Sequence, residues 1–264
     1  MNGAAWVRGT GEEEMITRGG RRRCVGALFS IFLAASGATA ARAAAVTAGV
    51  VVSVSGKPKV TRAGATAAVA LKLNDVLNEG DTVKTGPKTL VGIAFVGGAE
   101  LRINENSTFK MLSGGGDKPT SVWTALGNAW TRHLKGNARI EVRTPTAVCA
   151  VRGTEADVDI SGGGALAVKV YEGAVDVSND KGTTALAAGQ LTTVAGSAAA
   201  PRAARAMTPQ DYATWQNSLK APDLNKSLKL LHAAAVKNRT LNLSVKGKDG
   251  KKKEIKLNFE KKEP

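Results

Sequence analysis

Apolar residues along most of this chain recur at every second position in short runs broken by turn residues, the pattern of half-buried β-strands. Val50, Val52 and Val54 alternate with Val51, Ser53 and Ser55; Gly56-Lys57-Pro58 then predicts a turn, and Val60 resumes the strand pattern. Val69, Leu71 and Leu73 make the next apolar stripe, ended by Asn74-Asp75. Asn78-Glu79-Gly80-Asp81 predicts a tight turn with Gly80 at positive φ and the Asp81 carboxylate free to bond nearby backbone amides. Gly97-Gly98 predicts a hairpin joining residues 91–96 to 101–103. Further strands are expected over 122–130, with a bend at Gly127, and over 138–142, 168–177 and 186–194. The glycine run 113–117 has neither a helix start after it nor a lysine-serine pair, so it reads as a loop and not as a phosphate cradle.

The stretch from Val142 to Ile160 stands apart. Pro145 lacks an amide hydrogen and biases Thr144 toward extended geometry, so the chain enters irregularly. Ala147 to Val151 is a short apolar run of the kind buried on both faces. Arg152, Gly153, Thr154 and Glu155 then place opposite charges around a permissive glycine, after which Ala156, Val158 and Ile160 alternate with Asp157 and Asp159. The expectation is a strand, a tight charged corner and a second strand with its two aspartates facing solvent. At the corner, the five donors of Arg152 could satisfy carbonyls left by the interrupted pairing, balanced by Glu155 or Glu172. On that reading Arg152→Ala unfolds the domain; the alternative is an arginine that contacts a partner.

After Val194 the composition changes. Residues 196–207 are alanine-rich, a linker by composition. Thr208-Pro209-Gln210-Asp211 has the form of a capped helix start, followed by Tyr212, Trp215 and Leu219 at helical spacing. Pro222-Asp223 opens a second helical stretch with Leu224, Leu228, Leu231 and Ala235 on one face, so 208–238 is expected to be helical and to dock through these stripes. In the tail, 239–264, Leu241, Leu243 and Val245 and then Ile255, Leu257 and Phe259 alternate with polar residues around an Asp249-Gly250 turn, which predicts a lysine-rich β-hairpin.

Composition narrows the function. The chain of 264 residues is 43% hydrophobic and 22% charged, enough to bury a core, and its 4% aromatic content with recurrent valine and threonine favours an all-β domain. The net charge of +15 attracts polyanions. From Lys220 to Pro264 bases outnumber acids 13 to 5, and Lys246, Lys248, Lys251, Lys252 and Lys253 are the candidates for contact with an anionic envelope polymer or lipid surface. The same lysines would equally protect an exposed strand edge.

The first 45 residues have the three parts of a cleaved secretory signal: Arg18 to Arg23, the apolar run Val25 to Ala35, and Ala38-Thr39-Ala40. That run is shorter than the ~20 residues of a membrane span. Glu12 to Glu14 are out of place ahead of a signal and drop out if translation begins at Met15. A periplasmic or secreted location follows, where nucleic acid is scarce. Cys24 leaves with the signal, so Cys149 has no partner for a disulfide and is read as a small buried hydrophobe. His133 and His232 lack metal-ligand spacing, and no nucleophile elbow or cofactor motif occurs, so neither catalysis nor a cofactor is expected.

Thr144-Pro145-Thr146-Ala147 followed by Val151-Arg152-Gly153-Thr154-Glu155 resembles the signature of the FecR-type domain of bacterial envelope proteins. Gly80 to Gly86, Ile93 to Phe95 with Leu101 to Ile103, Tyr171 to Val177 and Leu186 to Gln190 resemble its other strands in order, so the similarity spans about Gly49 to Val194 and implies a domain over 46–195. Departures are Gly97-Gly98-Ala99 in place of Asp-Gly-Ser, and Ala156 in place of an aromatic residue. The resemblance implies a twisted, solenoid-like or sandwich-like stack of short strands and a function through protein contacts, since relatives pass the state of an outer-membrane receptor to a sigma factor. No cytoplasmic anti-sigma segment and no spanning helix after the signal are evident here, so a scaffold or partner-recognition role in envelope signalling or assembly is expected.

Overall fold

The computed structural model describes residues 45–115, 117–134, 138–237, 240–246 and 252–258. The signal region, Cys24, Lys248, Lys251 and the Asp249-Gly250 turn lie outside them. Where alternation stops in the sequence the chain turns, and the strands between turns join into one hydrogen-bonded sheet.

β1 (Thr47–Ser55) is followed by three short strands, β2 (Lys59–Thr61), β3 (Ala68–Ala70) and β4 (Val76–Asn78). β5 (Thr82–Lys84) leads to the hairpin of β6 (Leu90–Phe95) and β7 (Ala99–Ile103), closed at Gly98 by its amide to the Phe95 carbonyl, 3.0 Å. β8 (Thr108–Gly114), β9 (Thr120–His133) and β10 (Arg139–Arg143) precede the paired long strands β11 (Val148–Ile160) and β12 (Leu166–Asn179). β13 (Gly182–Ala187), β14 (Gln190–Val194) and β15 (Arg205–Ala206) complete the sheet. Its main path runs β15-β14-β12-β11-β10-β9-β7-β6-β1-β4. β9, β10 and β11 also close a ring, because β11 pairs β10 through 148–152 and β9 through 156–160. The domain is thus all-β, but its centre is made of three strands of 13 or 14 residues and not of short strands alone.

The long strands exist because each turns from one partner to another partway along. In β11 the core side chains are Cys149 and Val151 before the change and Ala156, Val158 and Ile160 after it. The period-two frame has slipped by one residue. β12 does the same, with Leu166, Val168 and Val170 on one side and Val175 and Val177 on the other. A strand with period two keeps its apolar residues inward across such a change only through a bulge. The register shifts between Arg152 and Glu155, and again between Glu155 and Ala156, so two bulges of opposite sense restore the pairing frame. Gly153 at φ +63° and Gly173 at φ +78° supply the backbone that L side chains disfavour. The expected charged corner is therefore present, as a bent continuous strand.

Beyond the sheet, residues 196–206 are not a free linker. Arg202 donates its amide to Thr193, Asn179 Nδ2 holds the Ala199 carbonyl at 2.7 Å, and β15 pairs β14. The helix expected from Thr208 is reduced to two 3-10 turns, Pro209–Asp211 and Trp215–Ser218, because this segment lies across strands and its contacts are made one residue at a time. α1 (Leu224–Lys237) forms as expected, with Asp223 Oδ1 accepting the Lys226 amide at 2.9 Å. Leu224, Leu228 and Leu231 pack on Val50, Val52 and Ala94, so β1 is buried on both faces. A separate hairpin of β16 (Thr240–Lys246) and β17 (Lys252–Asn258) follows, and its register sets Leu241 beside Leu257 and Leu243 beside Ile255.

Candidate functional site

At the β11–β12 corner the residues singled out by the sequence do come together, but outward. Arg152 has a side chain 72% exposed and reaches Asp176 at 3.4 Å, so its carboxylate partner is neither Glu155 nor Glu172. Glu172 is exposed beside Gly173. Glu155 instead accepts the indole Nε1–H of Trp130 at 2.9 Å. Thr154 lies in the strand where the register shifts between Arg152 and Glu155. The guanidinium of Arg152 satisfies no buried carbonyl among the described residues, which corrects the expectation that it holds the corner together. Exposed ion pairs contribute about 0–1 kcal/mol. Arg152→Ala is accordingly expected to unfold within a few degrees of the parent in a thermal melt; a collapse of the melting transition would restore the structural role.

The second constellation was not visible as a unit in the sequence. Beyond the corner, the outward face of the sheet carries a polar and aromatic row: Arg102 on β7 stands opposite Trp130 on β9, which stands opposite Asp157 on β11. Glu100, 1% exposed, receives Arg102 Nε at 2.8 Å on one oxygen and Arg132 Nε at 2.6 Å on the other. Both guanidiniums sit over the Trp130 ring, at 4.8 and 5.5 Å from its centre. The chain's own segment 207–219 covers this row like a strap. Met207 donates its amide to Gly189, Ala213 to the Tyr171 hydroxyl at 3.2 Å, and Trp215 Nε1 to Asp157 Oδ2 at 3.3 Å. Arg102 Nη1 bonds the Gln216 carbonyl, and Leu219 buries itself near Gly92 on β6. Tyr212 packs against Tyr171, ring centres 5.7 Å apart. Outside the row, Arg205 grips Asp211 and holds its carboxyl well below the usual carboxylate range.

Asp157 is the second correction. Alternation placed it outward, and outward it is, yet the strap leaves it 1% exposed. Burial pushes its carboxyl up to about 6, against hydrogen bonds from Asn128 Nδ2 at 2.7 Å and from Trp215 and the charge of Lys169. Burial also raises Asp159, and lifts Tyr171 to about 12 with help from the Asp157 charge. Because the folded protein binds this proton more tightly than the unfolded chain, the neutral Asp157 stabilises the fold fully below pH ~4, and that stability is lost as pH rises to about 6. Over pH 4–6, wild-type stability measured by urea unfolding should fall relative to Asp157→Asn, whose curve lacks that contribution. Parallel curves would remove the carboxyl from this role.

Both Asp157 oxygens are engaged and the strap closes over them, so the raised carboxyl has no open approach for a substrate. Cys149 is wholly buried, and burial pushes its thiol up to about 12, which makes it a packing residue and not a nucleophile. Among the described residues no group of three or more His, Cys, Asp or Glu could hold a metal ion, and no helix is long and apolar enough to cross a membrane. In the hairpin, Lys246 pairs with Lys252, and Lys253 with Val245.

Residues 81–176 match the family model described as FecR protein. Two crystal structures of a "putative anti-sigma factor" from Parabacteroides distasonis resemble the chain at 15% identity and a TM-score of 0.43, over 49% of this chain and 61% of theirs. The chain thus spans less than two thirds of those proteins, and a likeness this loose carries no functional weight. No curated protein matches the sequence.

Proposed function

We propose that this chain, whose residues 81–176 match the FecR family model, is an exported, non-catalytic module acting through protein contacts in envelope signalling or assembly. One observation carries this reading: Arg152, in the block most specific to the family, is 72% exposed and leaves the fold's own hydrogen bonding to its neighbours. A charged side chain held only by one exposed ion pair to Asp176 can turn to a partner, and arginine is favoured at such interfaces. The chemistry-bearing groups elsewhere are sealed, Asp157 by the strap and Cys149 by the core. Export rests on the charged, apolar and small-residue segments within the first 45 residues.

A second reading, binding of an anionic envelope polymer or lipid surface through the tail, is favoured by the lysines of the β16–β17 hairpin, where Lys246 stands directly opposite Lys252. One experiment separates the two. Immobilised wild-type protein, an Arg152→Glu variant and a chain ending at Arg239 are exposed to envelope extract at low and high salt. Protein capture lost with Arg152→Glu but kept after truncation supports the first reading. Capture that vanishes with the tail and with salt but survives Arg152→Glu supports the second.

A further inference from the structure

We propose that the outer face of the half-sheet on the other side of the corner docks an acidic protein surface, with Trp123 as its anchor. This rests on the protein-contact reading above and specifies where and with what chemistry the contact is made. The face is formed by β8, the first part of β9, β10, the first part of β11, the last part of β12 and β13, all hydrogen-bonded in sequence. Cys149, Val151, Val175, Val177 and Leu186 point into the core, so their alternate neighbours must point out.

Those neighbours are unusual for a solvated sheet face, which is normally polar. Trp123 is 39% exposed. Directly paired residues lie on one side, which places Arg143 beside Trp123 and Val148 beside Arg143. Ala150, Ala174, Ala185 and Ala187 fill the middle, the last three of them exposed. Small side chains leave a shallow floor that another protein's surface can approach, and a single large aromatic supplies the kind of anchor that dominates binding energy.

Charge decides the partner. Lys110, Arg139, Arg143 and Arg152 border the floor, against Glu141 and Asp176. Each carboxylate is already matched, Glu141 to Arg143 at 2.6 Å and Asp176 to Arg152 at 3.4 Å. Lys110 and Arg139 have no carboxylate partner among the described residues, so the face has a net positive excess. Glu141 and Asp176, though matched, leave both signs on the face, and a protein with patterned charge can oppose each in register where a uniformly anionic polymer opposes only one. A floor of alanines with one protruding ring offers little to insert into a bilayer.

The test is photo-crosslinking with the full chain produced in its own cells. A photoreactive residue replaces Ala150 or Ala185 on the face, or Lys59 on β2 as the control, and the joined peptides are identified by mass spectrometry. The expected result is a protein adduct from 150 and 185, rich in Asp and Glu at the joined segment, and absent from 59. Its yield should fall about tenfold or more in Arg139→Glu/Arg143→Glu and recover in Arg139→Lys/Arg143→Lys, with unchanged melting curves as the check on folding. Equal adducts from position 59, adducts to glycan or lipid only, or indifference to charge reversal overturn the proposal. If 150 and 185 give no adduct while the immobilised protein still captures a protein from envelope extract, this face is wrong and the protein-contact reading stands; if neither adduct nor capture is seen, both fall.

Discussion

Replacing Glu100 with Ala is expected to be among the most damaging single changes in the molecule, lowering stability by about 3–5 kcal/mol and the melting temperature by roughly 10 °C. Glu100 is 1% exposed and is the common carboxylate of Arg102 and Arg132. Removing it leaves two guanidiniums against the Trp130 ring without the carboxylate they share. Arg132, 39% exposed at its side chain, can turn toward water. Arg102, 10% exposed and tied to the Gln216 carbonyl, cannot do so without lifting the strap. Glu100→Ala should therefore also expose segment 207–219 to proteases, while Arg132→Ala costs far less. Equal effects of the two substitutions on urea unfolding would show that the buried carboxylate is not what neutralises Arg102.

Asp81→Ala should cost about 2–4 kcal/mol. The Asp81 side chain is 1% exposed and accepts from the Ala63 amide at 2.9 Å, the Asn78 amide at 3.0 Å and Arg62 Nη1 at 2.7 Å. It thereby ties the loop after β2 to the turn before β5, where Gly80 has φ +89°. Two backbone donors and one cation would lose their acceptor at once, with too little room for water to replace all three. Asp81→Asn keeps the shape and one oxygen, so it should fall between wild type and alanine. A thermal melt in which alanine matches wild type would mean that the turn holds without its carboxylate.

How far these sites could be read in advance depends on how local their physics is. The Asn78–Asp81 turn was legible because the decisive bond spans three residues, from Asp81 to the Asn78 amide. The corner was legible because its apolar frame shifts within one stretch, from Cys149 and Val151 to Ala156, Val158 and Ile160. What Arg152 does there was not legible, since exposure depends on a neighbouring strand that supplies Asp176. Asp157 was misjudged for a related reason. Alternation gives the face on which a side chain lies but not what covers that face, and its cover, Trp215, is 58 residues away in the chain. The helical spacing of Tyr212, Trp215 and Leu219 correctly marked a docking segment and gave the wrong backbone for it.

Period-two patterning and turn chemistry were enough to determine an all-β domain with a helix and a hairpin after it, because strand formation and turning are set by residues a few positions apart. The Arg-Gly-Thr-Glu block lies within residues 81–176, which match the FecR family model. Tertiary structure alone decided which outward faces stay open. The strap seals one half of the sheet over Glu100 and Asp157, and the other half keeps Trp123 in solvent. That division is made by contacts between segments distant in the chain, whose energies depend on burial, and burial is a property of the assembled fold and not of any window of sequence.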